Sequence, residues 1–210
     1  MKNKQIILTF LSIIILIAAC NDINNDSTQN EAISSKEKWL HFHHITADVF
    51  DVKGTSLQIK PREVRYGLFE EQERMFSRTF MYSPDSTYYV DMDSYGLEIY
   101  ESEDGSLEYL GREIDIKVQL VNVLTSDSSA IELMMCGTTC FPEEAYWENN
   151  TTVSILGLST DTAEKVYPTI WTYDLTNGAF VKYISESEVI PNDENYFEKH
   201  RLNKILSHAM

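Results

Sequence analysis

The sequence predicts a mainly β domain, built from antiparallel sheets and closed by a C-terminal helix. Three observations predict it. Ile114, Ile116, Val118 and Leu120 alternate with Asp115, Lys117 and Gln119, the period of a half-buried strand. From Phe76 onward, short apolar runs are separated by turn residues at Pro84-Asp85, Asp104-Gly105, residues 126–129, Asn149-Asn150 and Asn177-Gly178. Near the end, Tyr196, Phe197, Leu202, Ile205 and Leu206 recur at helical spacing, with Asn192 or Asp193 as cap.

The chain begins Met1-Lys2-Asn3-Lys4 and then runs almost wholly apolar from Ile6 to Ala19. That run is shorter than the ~20 residues a helix needs to cross a bilayer. A basic start, a short apolar centre and small residues at its end are the parts of a secretory signal peptide, here residues 1–19. Its last residues, Leu16-Ile17-Ala18-Ala19-Cys20, resemble the lipobox of bacterial lipoproteins. The resemblance implies a diacylglyceryl thioether on Cys20, cleavage before it, and acylation of the new amino group. At ~0.8 kcal/mol per buried CH₂, two or three acyl chains hold a domain on a membrane without a helix. Residues 21–36, NDINNDSTQNEAISSK, have too few apolar side chains to offset their ordering entropy. Residues 20–38 are therefore expected to be the lipidated cysteine and a flexible tether reaching about 20 to 25 Å. The expected location is the bacterial cell envelope with the domain outside the cytoplasm, the outer membrane favoured over the inner.

The formal charge is −16, and loss of Lys2 and Lys4 with the leader leaves 15 basic residues against 33 acidic ones. A phosphate-binding surface needs clustered Lys and Arg, so nucleic acid is excluded as a partner. The acidity serves solubility, with a cationic partner or divalent ions as the other reading. Residues 39–210 suffice for a single β-rich domain with a proper core. Two further cysteines, Cys136 and Cys140, form an even pair in an exported chain and are expected to be disulfide-bonded.

Within that domain, Trp39 to His44 opens the fold. Residues 48–52 and 55–60 flank Lys53-Gly54 and read as a hairpin around a tight turn. The charged stretch Pro61 to Arg74 reads as a short helix. Strands are expected at 78–82, 87–91, 97–100, 114–124, 130–135, 152–158, 169–175 and 180–184, and a helix from Asp193 to His208.

The chain also echoes itself. Residues 82–90, YSPDSTYYV, align with 147–155, WENNTTVSI, each an aromatic, a turn and a strand. Residues 118–123, VQLVNV, align with 170–175, IWTYDL. The offsets are unequal, 65 residues and 52. These turns and strands resemble blades of TolB-like or WD40-like propellers. The resemblance implies blade-like antiparallel sheets, arranged as a partial propeller or a sandwich, since a closed propeller needs at least four blades of ~40 to 45 residues.

Candidate sites are few. Asp91-Met-Asp93-Ser-Tyr95-Gly96 opens like an EF-hand loop, but Tyr95 and Ser102 stand where oxygen ligands are required, so a solvated turn is expected. His41, His43 and His44 would put two imidazoles on one face of a strand, without a nearby carboxylate to complete a metal site. Ser35 and Lys38 fit S-x-x-K but sit in the tether without the partner motifs. Glu143 and Glu144 are adjacent in sequence, which does not make them face each other across a substrate. Asp26-Ser27-Thr28, Asp85-Ser86-Thr87 and Asp161-Thr162-Ala163 resemble a short O-glycosylation acceptor of some Gram-negative envelopes. Of the many aromatics, most are expected in the core, Trp147 and Trp171 at matching positions of the two echoed units.

No catalytic residues, metal or cofactor are assigned. The expected function is a non-enzymatic envelope lipoprotein that binds a partner protein or glycan through its β domain. The alternative is an envelope hydrolase whose carboxylates and His41, His43 or His200 assemble only in three dimensions.

Overall fold

The computed structural model describes residues 33–50, 53–57, 62–65, 76–124, 129–191 and 194–207, with the backbone alone at 62–65 and 129. The leader, Cys20 and most of the tether lie outside the described residues, as do Asn192, Asp193 and His208.

Among the described residues there are twelve strands, in chain order β1 Thr55–Ser56, β2 Arg62–Arg65, β3 Met81–Tyr82, β4 Tyr88–Asp91, β5 Leu97–Glu101, β6 Leu107–Arg112, β7 Ile116–Asn122, β8 Ser129–Cys136, β9 Cys140–Trp147, β10 Thr152–Thr160, β11 Val166–Asp174 and β12 Ala179–Ile184. All pairings are antiparallel. One sheet has the order β1-β12-β11-β10-β9, a second β2-β8-β7-β4-β3, and β5-β6 is a separate hairpin.

The two five-stranded sheets match strand for strand: β9, β10, β11 and β12 correspond to β3, β4, β7 and β8, with β1 and β2 on equivalent edges. This is the echo in the sequence. Its offsets differ because the β5-β6 hairpin is inserted between β4 and β7 and has no counterpart between β10 and β11. The sheets pack face to face through Val90, Val118, Leu120 and Leu133 on one side and Ala145, Val153, Ile155, Trp171, Tyr173 and Phe180 on the other. The architecture is a sandwich.

Both outer faces are covered as well, which is why β10 is buried along 153–159 without alternation. Outside the first sheet, helix α1 (Ser35–Phe42) and Tyr196 pack Trp39 and Phe42 on Leu156, Leu158 and Ile170. Outside the second, Phe197 and Ile205 of the C-terminal helix join Phe76, Phe80, Tyr89 and Val121, with Leu97, Ile99 and Tyr109 of the hairpin against them. That helix contains a π-helical stretch, Glu198–Leu202, running into α2, Asn203–Leu206. The Asn195 side chain caps it by accepting from the Phe197 N–H at 2.9 Å.

Several expectations are corrected. Ser35 to Lys38 are helical rather than tether, because Ser34 and Glu37 form a reciprocal capping box. Thr55–Ser56 pairs with β12, directly after Gly54 (φ +57°), while residues 51–52 and 58–60 of the expected hairpin lie outside the described residues. Arg62–Arg65 is a strand on the edge of β8, not part of a helix. Strands β6 and β9 escape the sequence reading because Gly111 interrupts one, and Pro142 with two glutamates interrupts the other.

Cys136 and Cys140 are bonded, with Cα atoms 5.2 Å apart. The bond staples the short turn through which the chain passes from the second sheet to the first. Trp171 is core; Trp147 is half-buried and donates its indole N–H to the Met81 carbonyl at 2.8 Å, tying the sheets together at their other end.

Candidate functional site

Helix α1 ends at His43, and His44 (φ +55°) reverses the chain. In a helix, Trp39 and Phe42 share a face with one another, and His43 follows them inward at the C-cap. His41 and His44 point outward. The three histidines therefore do not share a strand face, because the segment is not a strand.

What meets His43 is Glu143. The imidazole Nε2 lies 2.7 Å from Glu143 Oε2, and the Trp39 indole N–H donates to the same oxygen at 2.7 Å. Its neighbour Glu144 accepts from the Tyr196 hydroxyl at 3.0 Å through Oε2 and from the Ala145 N–H at 3.1 Å through Oε1. On a regular strand two successive carboxylates would face opposite sides. Here Leu156 pairs with Glu144 and Gly157 with Pro142, so Glu143 is the extra residue of a β-bulge. The bulge re-aims one side chain, and both glutamates meet the outer layer. Gly157 sits opposite the bulge, where an added Cβ would lie 2.2 Å from the Phe141 carbonyl oxygen. A glycine inside the apolar run SILGLS is the sequence signal for this bulge, and thus for the paired glutamates.

An aromatic cluster closes over the carboxylates. The Tyr196 ring stacks parallel to His43 at 6.4 Å, Phe42 meets both edge-on, and His200 lies 4.6 Å from Tyr196. Burial, reinforced by the Glu144 charge, pushes the Tyr196 hydroxyl well above its usual range, so it stays a neutral donor. Burial, with Lys199 nearby, pulls His200 below the usual imidazole value, against the opposing effect of Glu144. Between the folded value and the ordinary 6.5 the unfolded chain binds more protons, so stability falls as pH drops through that window and the loss is complete below it. His200→Phe keeps the aromatic packing and should flatten this slope; equal slopes in paired urea titrations from pH 7.5 to 5 would refute it.

Beside the cluster opens a cleft of about 530 Å³. Phe42, Phe141, Pro142, Leu158, Val166 and Phe197 form its apolar walls; His43, Glu143, Arg112, Glu194 and Asn195 bring polar atoms to it. Arg112 is held by donating to the Met92 carbonyl at 2.6 Å and by Asp93, whose Oδ1 lies 3.6 Å from its Nη1. Asp93 is fully buried and also meets Arg201 Nη2 at 3.0 Å. Both guanidinium groups lie against the Phe197 ring, at 5.0 and 5.4 Å. The solvated turn expected at Asp91–Gly96 is instead a buried ion cluster. Asp91 organises it by accepting from the Asp93 and Ser94 N–H groups at 3.0 Å and from the Ser94 hydroxyl. The sequence offers no local sign of this, since Arg112 and Arg201 lie far along the chain.

Among the described residues, no three His, Cys, Asp or Glu side chains gather closely enough to hold a metal ion. No described helix is long and apolar enough to cross a membrane. Comparison with protein families, with curated proteins and with solved structures finds no match to this chain.

Proposed function

We propose that this chain is a non-enzymatic binding module of the bacterial cell envelope, anchored through acylated Cys20, and that the cleft beside Phe42 and Phe141 receives its partner. The observation that carries the reading is the cleft itself. Small-molecule and side-chain sites are concavities of roughly 300–1,000 Å³, mostly apolar, with a few fixed polar groups for orientation. This one has aromatic walls and one cation, Arg112, fixed on the Met92 carbonyl and Asp93 in an otherwise acidic protein. Such a site suits an apolar side chain or short segment of a partner protein that also carries an acidic group.

The test uses the full-length protein in its own envelope. A photoactivatable phenylalanine is placed at 191 on the cleft rim or at 82 on the edge strand β3, with Cys20→Ser as the unanchored control. An adduct from 191, absent from 82 and lost on Val166→Arg or Cys20→Ser, is the expected result. No adduct from 191, in protein whose Cys20 is shown by mass spectrometry to be acylated, overturns the reading.

A hydrolase is the second reading, and the His43–Glu143 contact at 2.7 Å within a cleft favours it. A general base must stand beside a proton to be abstracted. Glu143 Oε2 already accepts from Trp39 as well as meeting His43, and no serine, threonine or cysteine is seen bonded to His43 among the described residues. The arrangement resembles a clasp holding α1 to β9 more than an activated nucleophile. Loss of a demonstrated hydrolytic activity in His43→Asn, with partner capture intact, would reverse the order of the two readings.

A further inference from the structure

A second opening lies at the edge of the sandwich between the two sheets, about 450 Å³ in volume, and shares only Thr160 with the cleft above. Its apolar lining includes Leu57, Leu133, Met134, Trp171 and Phe180. Into it projects Lys182 of β12. The position is unusual for a lysine. Lys182 is two residues from core Phe180 and registers directly with core Trp171, so it takes an inward place where an apolar residue would extend the core. Its Nζ lies 5.8 Å from the centre of the Trp171 ring.

Among the described residues the ammonium has no hydrogen bond or ion pair, in a chain with 33 acidic residues. Glu132 lines the same opening but has an interaction of its own. Desolvation pulls the Lys182 pKa below the ordinary lysine value, consistent with an ammonium set partly against apolar walls. A half-buried cation lining a largely apolar opening is complementary to a hydrocarbon chain ending in an anion.

We infer that the opening between the sheets is a binding site for an amphipathic carboxylate, a free fatty acid, whose chain lies against the partly buried Leu57 and Met134 and whose carboxylate accepts from Lys182. Acyl chains esterified in a neutral lipid offer the same hydrocarbon without an anion, and Lys182 selects against them. The site stands independently of the proposed function, since neither its lining nor its charge involves the partner cleft.

The experiment titrates the mature protein with laurate below its micellar concentration. Binding is followed by calorimetry and by the shift of a ¹³C-labelled carboxyl group. Methyl laurate and dodecyltrimethylammonium are the controls, one without the anion and one with the opposite charge. The variant is Lys182→Met, which keeps the aliphatic stem over Trp171 and removes the charge; its unfolding midpoint is measured alongside. Laurate is expected to bind about tenfold more tightly than methyl laurate, the scale of one charge-assisted hydrogen bond. Lys182→Met should fold as well as the parent, bind both ligands equally and lose the carboxyl shift. Val166→Arg should bind laurate unchanged, because it alters only the other cleft. Three results overturn the inference: no laurate binding by the parent, equal binding of laurate and its methyl ester, or full laurate affinity in Lys182→Met.

Discussion

Asp93→Ala should destabilise the domain by about 3–5 kcal/mol, the range for breaking a buried ion cluster by removing one partner. Asp93 is fully buried and Arg201 is 1% exposed. One carboxylate stands between two guanidinium groups, 3.0 Å from Arg201 and 3.6 Å from Arg112. Asp93 makes close ion contacts here rather than well-aligned hydrogen bonds, so charge neutralisation is its main contribution. Without it, Arg112 and Arg201 are left as neighbouring cations beside the Phe197 ring without the carboxylate they share. Arg112 already shows the strain of burial: desolvation lowers its pKa, and the nearby Asp93 charge is what chiefly counters that. Asp91 is a weaker substitute, because Asp93 N–H, Ser94 N–H and the Ser94 hydroxyl already occupy its oxygens.

Arg201→Met should cost less than Asp93→Ala, since Asp93 keeps Arg112. Asp93→Ala combined with Arg201→Met should cost less than the sum of the singles, because each removes the charge the other leaves stranded. Urea unfolding of the four proteins measures the cycle. Strict additivity, or a loss below about 1 kcal/mol for Asp93→Ala, would show that solvent reaches the cluster and supplies the missing counter-charge. The cluster also seats Phe197 and Arg112, both of which line the cleft, so Asp93→Ala should weaken partner capture at temperatures where the domain is still folded.

The parts of this molecule that were legible in its sequence are those governed by local pattern. The alternation around Val118, the turn at Asn177-Gly178 and the spacing of Tyr196, Phe197 and Ile205 each depend on neighbours within a few residues, and each marks an element of the fold. The echo between 82–90 and 147–155 marked a real correspondence, because both stretches are hairpins at equivalent places in the two sheets. What stayed hidden depends on distant partners. WLHFHH opens the fold with no element assigned by its sequence; the Ser34–Glu37 capping box and the hydrogen bonds from Trp39 and His43 to Glu143, a hundred residues away, make it a helix. Asp93 reads as a turn residue until Arg112 and Arg201 arrive. Lys182 reads as an ordinary polar position in a strand until its register with Trp171 turns it inward.

Gly157→Ala should be the most damaging single-methyl change in the domain, at the upper end of the ~1–3 kcal/mol typical of overpacking or beyond it. Its φ lies outside the positive range, so backbone freedom is not the reason for the glycine. Space is the reason. An added Cβ would meet Phe141 O at 2.2 Å, Pro142 Cα at 2.8 Å and Phe141 C at 2.9 Å, all backbone atoms that cannot rotate away. Relief requires β9 to move off β10 at the bulge, and three things depend on that bulge. It turns Glu143 toward Trp39 and His43, it leaves Glu144 facing Tyr196, and it sets Phe141 and Pro142 as a wall of the cleft. A shift of a few tenths of an ångström would lengthen the Glu143 contacts first, because both are short, at 2.7 Å, and on one oxygen. Gly157→Ala should therefore loosen α1 before the sheets separate, seen as faster amide exchange at 39–43 than along β7. The comparison that isolates the cause is Gly157→Ala against Glu143→Gln. If the bulge acts through Glu143, both should speed exchange in α1, while only Gly157→Ala lowers the global unfolding midpoint steeply. A Gly157→Ala protein with the parent's midpoint would mean that β9 yields freely, and that the bulge does not hold the cleft wall in place.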